Sequence, residues 1–145
     1  MKLYTIGFTR KSASTFFELL RWSGAVRVVD VRLHNVSQLA GFAKKDDLEY
    51  FLDRICGMGY VHMPELAPTK QMLDSYRKGH RDWQEYERQF LSLMEERRVS
   101  QTDIMETVAD GCLLCSEDQP RHCHRRLVAE YLEVHWGDLE IIHLT

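Results

Sequence analysis

The residues from 115 to 125 combine several side chains that could do chemistry. Cys115 and Glu117 form a C-x-E sequence, and Cys123-His124-Arg125 follows shortly after it. A glutamate can act as a general base or as a carboxylate nucleophile, and a cysteine thiolate is a nucleophile in its own right. An arginine can hold a phosphate or carboxylate group through two parallel hydrogen bonds. The segment therefore offers groups for proton transfer or nucleophilic attack beside a cation for an anionic substrate.

Asp30 and Arg32 form a second charged group, at the end of a β-branched run that begins at Val26. Because side chains alternate along a strand, these two share one side and Val31 faces the other. The two residues form either a structural ion pair or a ligand site, and the planar guanidinium of Arg32 suits a phosphate or a carboxylate. We interpret Asp30 as a catalytic residue that assists Glu117, and Arg32 as a substrate-binding residue.

Predicted strands and helices alternate along the chain and must position these groups. Strands are predicted at 3–6, 26–31, 60–63, 112–115 and 139–144. Helices are predicted after a cap at Ser12 or Ser14, over 46–57, in two or three pieces over 69–110, and over 123–137. Strands separated by helices favour right-handed parallel crossovers. We therefore predict a single α/β domain over residues 1–145, with three layers: a mainly parallel sheet of about five strands covered by helices on both faces.

A parallel sheet also predicts where the site lies. Ligands bind outside the carboxyl ends of such strands, and the loops there hold residues 7–10, 30–32, 62–65 and 115–125. We expect these loops to form one anion-binding edge, helped by the free amides at the start of the last helix. The expected substrate-binding residues are Arg32, Arg125, His124, Gly7 and Thr9. His62 ends a strand and could enter the same cleft, while Phe8 could stack on a base or fill the core.

Several short segments resemble the family described as domain of unknown function 488. The matching pieces are Thr5-Ile6-Gly7, Asp30-Val31-Arg32 with Ser37 and Gly41-Phe42, Gly59-Tyr60-Val61-His62, Leu114-Cys115 with Glu117, and Cys123-His124-Arg125. The combination of C-x-E with C-H-R is the specific part of this resemblance, which spans nearly the whole chain. The resemblance implies the fold and the position of the site, and it implies no substrate.

Three residues of the 115–125 segment also have structural interpretations that stay open. Glu117 could be an acidic cap that interacts with the helix dipole, worth about 0.3 to 1 kcal/mol. Cys123 could pack against the sheet; if its sulfur faces the cleft instead, the helix N-terminus lowers the pKa of its thiol. Arg125 could bind a ligand, or it could pair with Asp30 or Glu117.

Cysteine chemistry and metal binding are further alternatives. Cys115 and Arg121 fit the C-x5-R pattern of cysteine phosphatases and rhodanese-like proteins. This pattern makes Cys115 a candidate nucleophile beside Cys123. The acidic residues 117 and 118 inside that loop would repel a phosphate dianion. A zinc site built from these cysteines with His122 and His124 would need adjacent residues to reach one tetrahedron. We expect no metal and no cofactor.

Composition limits the function classes. The chain is 44% apolar and 28% charged with a net charge of -3, which excludes a polycationic surface and is typical of a globular protein. No apolar run approaches the roughly 20 residues of a membrane helix, so we expect no membrane partner and a cytoplasmic location. The expected ligand is a small anionic or nucleotide-like molecule, with a nucleic acid as an open alternative.

Three functional hypotheses follow from these residues. The first is an enzyme that acts on a phosphate-bearing, nucleotide-like or nucleic-acid-derived substrate by carboxylate-assisted transfer or hydrolysis, with Glu117 and Asp30 as catalytic residues. The second is a non-catalytic nucleotide or nucleic-acid binding module in which the carboxylates orient the arginines. The third is a structural partner protein whose charged edge is an interface. A carboxylate of Glu117 that faces the cleft and is free of the arginines would favour catalysis, whereas a fully paired carboxylate would favour binding or a structural role.

Overall fold

The computed structural model of the protein describes residues 1–36, 40–78, 82–101 and 103–145. Its five strands are β1 (Lys2–Gly7), β2 (Arg27–Asp30), β3 (Gly59–His62), β4 (Cys112–Cys115) and β5 (Glu140–Leu144). They form one sheet of order β3-β2-β4-β1-β5, in which every neighbouring pair is parallel. The predicted α/β class with a parallel sheet of five strands is confirmed. Ser37, which contributes to the family resemblance, lies outside the described residues.

Helices cover both faces of this sheet. They are α1 (Ala13–Ser23), α2 (Lys45–Phe51), α3 (Lys70–Arg77), α4 (Trp83–Arg97), α5 (Met105–Val108) and α6 (His124–Trp136). A π-helical turn, Leu52–Cys56, continues α2, and short 3-10 turns lie at Gly41–Ala43, Pro64–Leu66 and Val99–Gln101. The polar segment 69–110 thus contains three α-helices within the described residues, where the sequence predicted two or three.

Each face of the sheet has its own hydrophobic core. On one face, Phe16 and Leu20 of α1 and Leu48 of α2 pack in one cluster with Leu114 of β4. On the other face, Phe90 and Met94 of α4 and Leu127 of α6 pack in a second cluster with Leu113. The two neighbouring leucines of β4 therefore serve opposite cores, which is why this central strand is apolar along its whole length.

The central place of β4 decides which loops meet. In the register of the sheet, Gly7 of β1 lies opposite Cys115, and Asp30 of β2 lies opposite Leu114. Beyond the strands, the Thr9 amide donates to the Ser116 carbonyl at 3.0 Å. The loop that follows β4 is consequently held between the carboxyl ends of β1 and β2, where parallel sheets bind ligands.

The first helix shows which of two serines acts as its cap. Ser12 is the N-cap residue of α1, and its hydroxyl accepts from the Thr15 amide at 3.1 Å. Ser14 lies within the first turn and is exposed. We predict that Ser12→Ala lowers the free energy of unfolding by about 1 kcal/mol, whereas Ser14→Ala changes it by less than about 0.5 kcal/mol. Urea denaturation followed by circular dichroism measures both; equal losses would contradict this cap.

Candidate functional site

Asp30 and Arg32 form a buried ion pair at the end of β2. Arg32 donates from Nε to Oδ1 at 2.9 Å and from Nη2 to Oδ2 at 2.8 Å. The backbone amide of Arg32 also donates to Oδ1, at 3.1 Å, and the Tyr60 hydroxyl of β3 donates to Oδ2 at 2.6 Å. Each carboxylate oxygen of Asp30 thus accepts two hydrogen bonds from the protein. This arrangement favours a positioning role for Asp30; its predicted catalytic role stays a prediction.

Arg32 keeps part of its hydrogen-bonding capacity unused. Nη2 makes a second bond, to the Ala43 carbonyl at 2.7 Å, and the guanidinium lies over the Phe8 ring at 5.3 Å. Nη1 is buried and has no hydrogen-bond partner in the part of the chain that the structure describes. Burial lowers the pKa of Arg32, but the hydrogen bond and charge of Asp30 outweigh it and the pKa is raised. The charged guanidinium of Arg32 therefore has one nitrogen without a partner among the described residues.

Cys115 lies beside the imidazole of His124. The two side chains come from the end of β4 and the start of α6, and each residue is only 6% exposed. Sγ is 3.5 Å from Nδ1 and 3.8 Å from Nε2. Nε2 also lies 2.7 Å from the Val31 carbonyl, which can only accept, so Nε2 carries a proton in this bond. Nδ1 is therefore the ring nitrogen without a proton in this tautomer, and the Cys115 sulfur, almost equally far from both ring nitrogens, lies over the imidazole ring.

Cys115 and Cys123 differ as acids. A hydrogen bond from Cys123 lowers the pKa of Cys115 and outweighs burial, which raises it; the Ser116 backbone and the Arg125 charge lower it further. Burial raises the pKa of Cys123 well above its usual value. The condition for a lowered pKa of Cys123 was a sulfur that faces the cleft; Cys123 is instead 2% exposed and packs in a hydrophobic core cluster, as in the alternative of packing against the sheet. Cys115 is the thiol of this pair that ionises first.

Arg125 is fully buried and binds the loop that follows β4. It donates from Nη1 to the Glu117 carbonyl at 2.5 Å and from Nη2 to the Asp118 carbonyl at 3.2 Å. Its Nε donates to Thr5 Oγ1 at 3.3 Å. The partners are thus backbone carbonyls and a hydroxyl, not the carboxylates that the sequence suggested as alternatives. The geometry favours a positioning role for Arg125, and ligand binding by it stays a prediction.

Gly7, Thr9 and Glu117 lie around the same loop. A side chain at position 7 would overlap the carbonyl oxygen of Glu117, so this glycine permits the close approach of β1 to the loop. Thr9 is exposed and contacts the loop through its backbone amide. The Glu117 side chain is exposed, and among the described residues its carboxylate has no hydrogen bond or ion pair. Its carboxylate is therefore free of both arginines, which is one part of the condition set for a catalytic role; the catalytic role of Glu117 stays a prediction.

Three contributors to the site escaped the sequence analysis. The Tyr60 hydroxyl donates a hydrogen bond to the carboxylate of Asp30. The Ala43 carbonyl accepts a hydrogen bond from the guanidinium of Arg32. Lys11 forms an ion pair with Asp118 at 2.7 Å and ties the β1 loop to the β4 loop. Tyr60 could have been found from the tendency of consecutive strands to pair, since β3 lies next to β2. The other two depend on loop conformation and leave no pattern in the sequence.

The fold and these contacts define a class of protein: a parallel α/β protein with a buried thiol, an imidazole and two guanidinium groups at the carboxyl ends of its central strands. Residues 12–132 match the family model described as "Domain of unknown function DUF488", so the chain belongs to that family. Comparison with curated proteins and with solved structures gives no match. None of the described helices is long and apolar enough to cross a membrane.

The contacts of Arg125 predict a loss of stability on its conservative replacement. The single ammonium of Arg125→Lys cannot reach three separate acceptors, so buried carbonyls of the loop lose their donor. We expect the free energy of unfolding to fall by about 2 kcal/mol or more. Arg121→Lys, at an exposed position, is the matched control and should change it by less than about 0.5 kcal/mol. Chemical denaturation measures both, and a neutral Arg125→Lys would contradict the positioning role.

Proposed function

We propose that the protein is an enzyme that transfers or hydrolyses a group of a small, anionic, phosphate-bearing substrate, with Cys115 as the nucleophile. The observation that supports this most is the line of contacts from the Cys115 thiol to His124 and on to the Val31 carbonyl. A nucleophile beside a base that a third group orients is the usual geometry of covalent catalysis. This shifts the chemistry from the carboxylate of Glu117 to a thiol.

The proposed reaction has two stages, formation of a covalent intermediate on Cys115 and its breakdown. The Cys115 sulfur attacks the electrophilic atom of the substrate, forms a bond to the transferred group and displaces the leaving group. His124 Nδ1 takes the thiol proton and passes it to the leaving group. A water molecule or another acceptor then attacks the covalent intermediate with His124 as the base, and the Cys115 thiol is restored. No oxidant or reductant is needed.

Arg32 is the residue proposed to select an anionic substrate. The pKa of Arg32 is raised by the hydrogen bond and charge of Asp30 and, less, by the charges of Tyr60 and Cys115. Asp30 occupies the Nε and Nη2 edge, and Nη1 stays without a partner among the described residues. A buried donor without a partner is costly. An anionic oxygen that reached Nη1 would remove this cost.

A pair of alkylating reagents tests this proposal without a known substrate. Iodoacetate and iodoacetamide carry out the same thiol alkylation, but only iodoacetate is an anion. We predict that the ratio of their rates, iodoacetate over iodoacetamide, is about tenfold higher at Cys115 than at Cys56, which corresponds to about 1.4 kcal/mol of anion binding. Peptide mass spectrometry of the native protein over time measures both cysteines in one sample.

Two variants assign the effect to its residues. Arg32→Lys keeps a cation beside Asp30 but removes Nη1, so the ratio at Cys115 should fall towards that of Cys56. His124→Gln removes the base, so Cys115 should react more slowly with both reagents while the ratio is kept. Circular dichroism verifies that each variant is folded. A ratio at Cys115 no higher than at Cys56 would sink the proposal of an anion-selective thiol.

The exposed carboxylate of Glu117 favours a second candidate, carboxylate-assisted chemistry on a nucleotide-like or nucleic-acid-derived substrate. A thermal-shift screen of nucleotides, nucleosides and sugar phosphates can find the ligand, because a ligand at a hundred times its Kd adds about 2.7 kcal/mol of stability. Stabilisation without turnover would instead support a binding module.

With such a ligand in hand, two variants separate the mechanisms. If the thiol is the nucleophile, Cys115→Ser lowers turnover by about a hundredfold or more and Glu117→Gln lowers it little. If the carboxylate does the chemistry, Glu117→Gln lowers turnover by about a hundredfold or more and Cys115→Ser lowers it little. Ligand affinity is then largely kept in Glu117→Gln. Steady-state rates under saturating ligand distinguish these outcomes.

A further inference from the structure

Two thiols and one imidazole converge beneath the carboxyl edge of the sheet. The ligand-type atoms of Cys115, Cys123 and His124 all lie within 4.8 Å of one another, and all three residues are buried. We infer that these residues form a binding site for one thiophilic divalent metal ion of the zinc type. The inference goes beyond the proposed function, because it concerns a metal-bound state in which the Cys115 sulfur is a ligand and not a free nucleophile.

The distances already approach those of a tetrahedral site. With a Zn–S bond of about 2.3 Å and a Zn–N bond of about 2.0 to 2.1 Å, tetrahedral angles place sulfur and nitrogen about 3.6 Å apart and two sulfurs about 3.8 Å apart. The Cys115 sulfur lies 3.5 Å from His124 Nδ1. The remaining atoms need only a small contraction from their 4.8 Å limit. The side chains can therefore close on an ion without a change of fold.

The second ring nitrogen of His124 is bound in the way that metal sites require. Nε2 donates to the Val31 carbonyl at 2.7 Å, which leaves Nδ1 as the ring nitrogen that can bind an ion. The Cys115 sulfur lies 3.5 Å from Nδ1 and 3.8 Å from Nε2, over the ring, so the imidazole must turn for the Nδ1 lone pair to point at the ion. Histidine ligands of metals almost always donate their other ring N–H to a carbonyl or carboxylate, which fixes the tautomer and the ring orientation. The contact with Val31 thus prepares His124 as a ligand.

Helix geometry explains how two adjacent residues reach one ion. Cys123 is the N-cap of α6 with extended backbone angles, φ -136° and ψ 138°, and His124 is the first helical residue. The change from extended to helical backbone between them turns both side chains towards Cys115. The sequence-based expectation of no metal rested on the rarity of adjacent ligands and on the lack of a second C-x2-C or H-x3-H pair. The proposed metal site is the alternative to that expectation.

The donor set also suits a divalent ion in a buried place. Two thiolates and a neutral imidazole cancel the charge of a divalent cation, and a neutral complex avoids the large cost of an uncompensated buried charge. Two protein sulfurs and one nitrogen with a fourth position open is a known zinc arrangement. The described residues supply no fourth ligand, so this position is left to a solvent molecule or a small anion.

Cobalt is the probe for this site, because tetrahedral thiolate-bound Co²⁺ has intense visible bands and a sulfur-to-cobalt charge-transfer band. Reduced protein is freed of metal with a chelator, desalted and titrated with Co²⁺ without oxygen. We expect saturation at one Co²⁺ per chain, with both types of band, and loss of the bands when Zn²⁺ is added. Weak octahedral bands alone, or no binding, would overturn the inference.

Matched variants assign the ligands. Cys123→Ser removes one sulfur at an N-cap position that serine favours, so the fold is retained; Co²⁺ affinity should fall by more than the roughly 10- to 100-fold that loss of an outer-shell partner costs. His124→Gln should give a similar loss, and Cys56→Ser should bind as the unmodified protein does. Bands unchanged in Cys123→Ser, or lost in Cys56→Ser, would refute the site. The alkylation test uses metal-free protein, so failure of either proposal is seen separately.

Discussion

The loop that follows β4 depends on the buried guanidinium of Arg125. Burying a cation costs much free energy unless its N–H groups have hydrogen-bond acceptors. For Arg125 the acceptors are the carbonyls of Glu117 and Asp118 and the hydroxyl of Thr5. Hydrogen bonds from a charged donor contribute about 1.5 to 3 kcal/mol each. They connect α6, the loop and β1, so the positions of Cys115 and His124 relative to each other follow from this interaction.

The end of β2 sets the other half of the site. Asp30 orients Arg32 through two side-chain bonds, and between these residues the Val31 carbonyl orients His124. One short stretch of backbone therefore positions both Arg32 and His124. Because side chains and carbonyls point in different directions along a strand, one strand end can orient groups that come from two different elements.

The sequence predicted the fold well and the site in part. Periodicity and β-branched runs are local properties, so strands, helices and the parallel sheet could be read from them. The loops that hold Arg32, Cys115 and Arg125 were expected at one edge, and the structure brings them together there. The hydrogen-bond partners of these side chains could not be predicted. Arg125 donates to the backbone carbonyl of Glu117 and not to its carboxylate, and every residue has the same backbone carbonyl, so no residue type in the sequence indicates such a contact.

The charges inside the site leave one positive charge without compensation. Among the buried charged side chains that the structure describes, the carboxylate of Asp30 lies with two guanidinium groups, Arg32 and Arg125. An interior of low dielectric favours neutrality. Under the proposed function, a thiolate at Cys115 or an anionic substrate would supply the missing negative charge. The proposed complex of a divalent ion with two thiolates is itself neutral, so in the metal-bound state this charge would have to come from an anionic fourth ligand. The buried arginines would therefore favour negative charge in this region in either case.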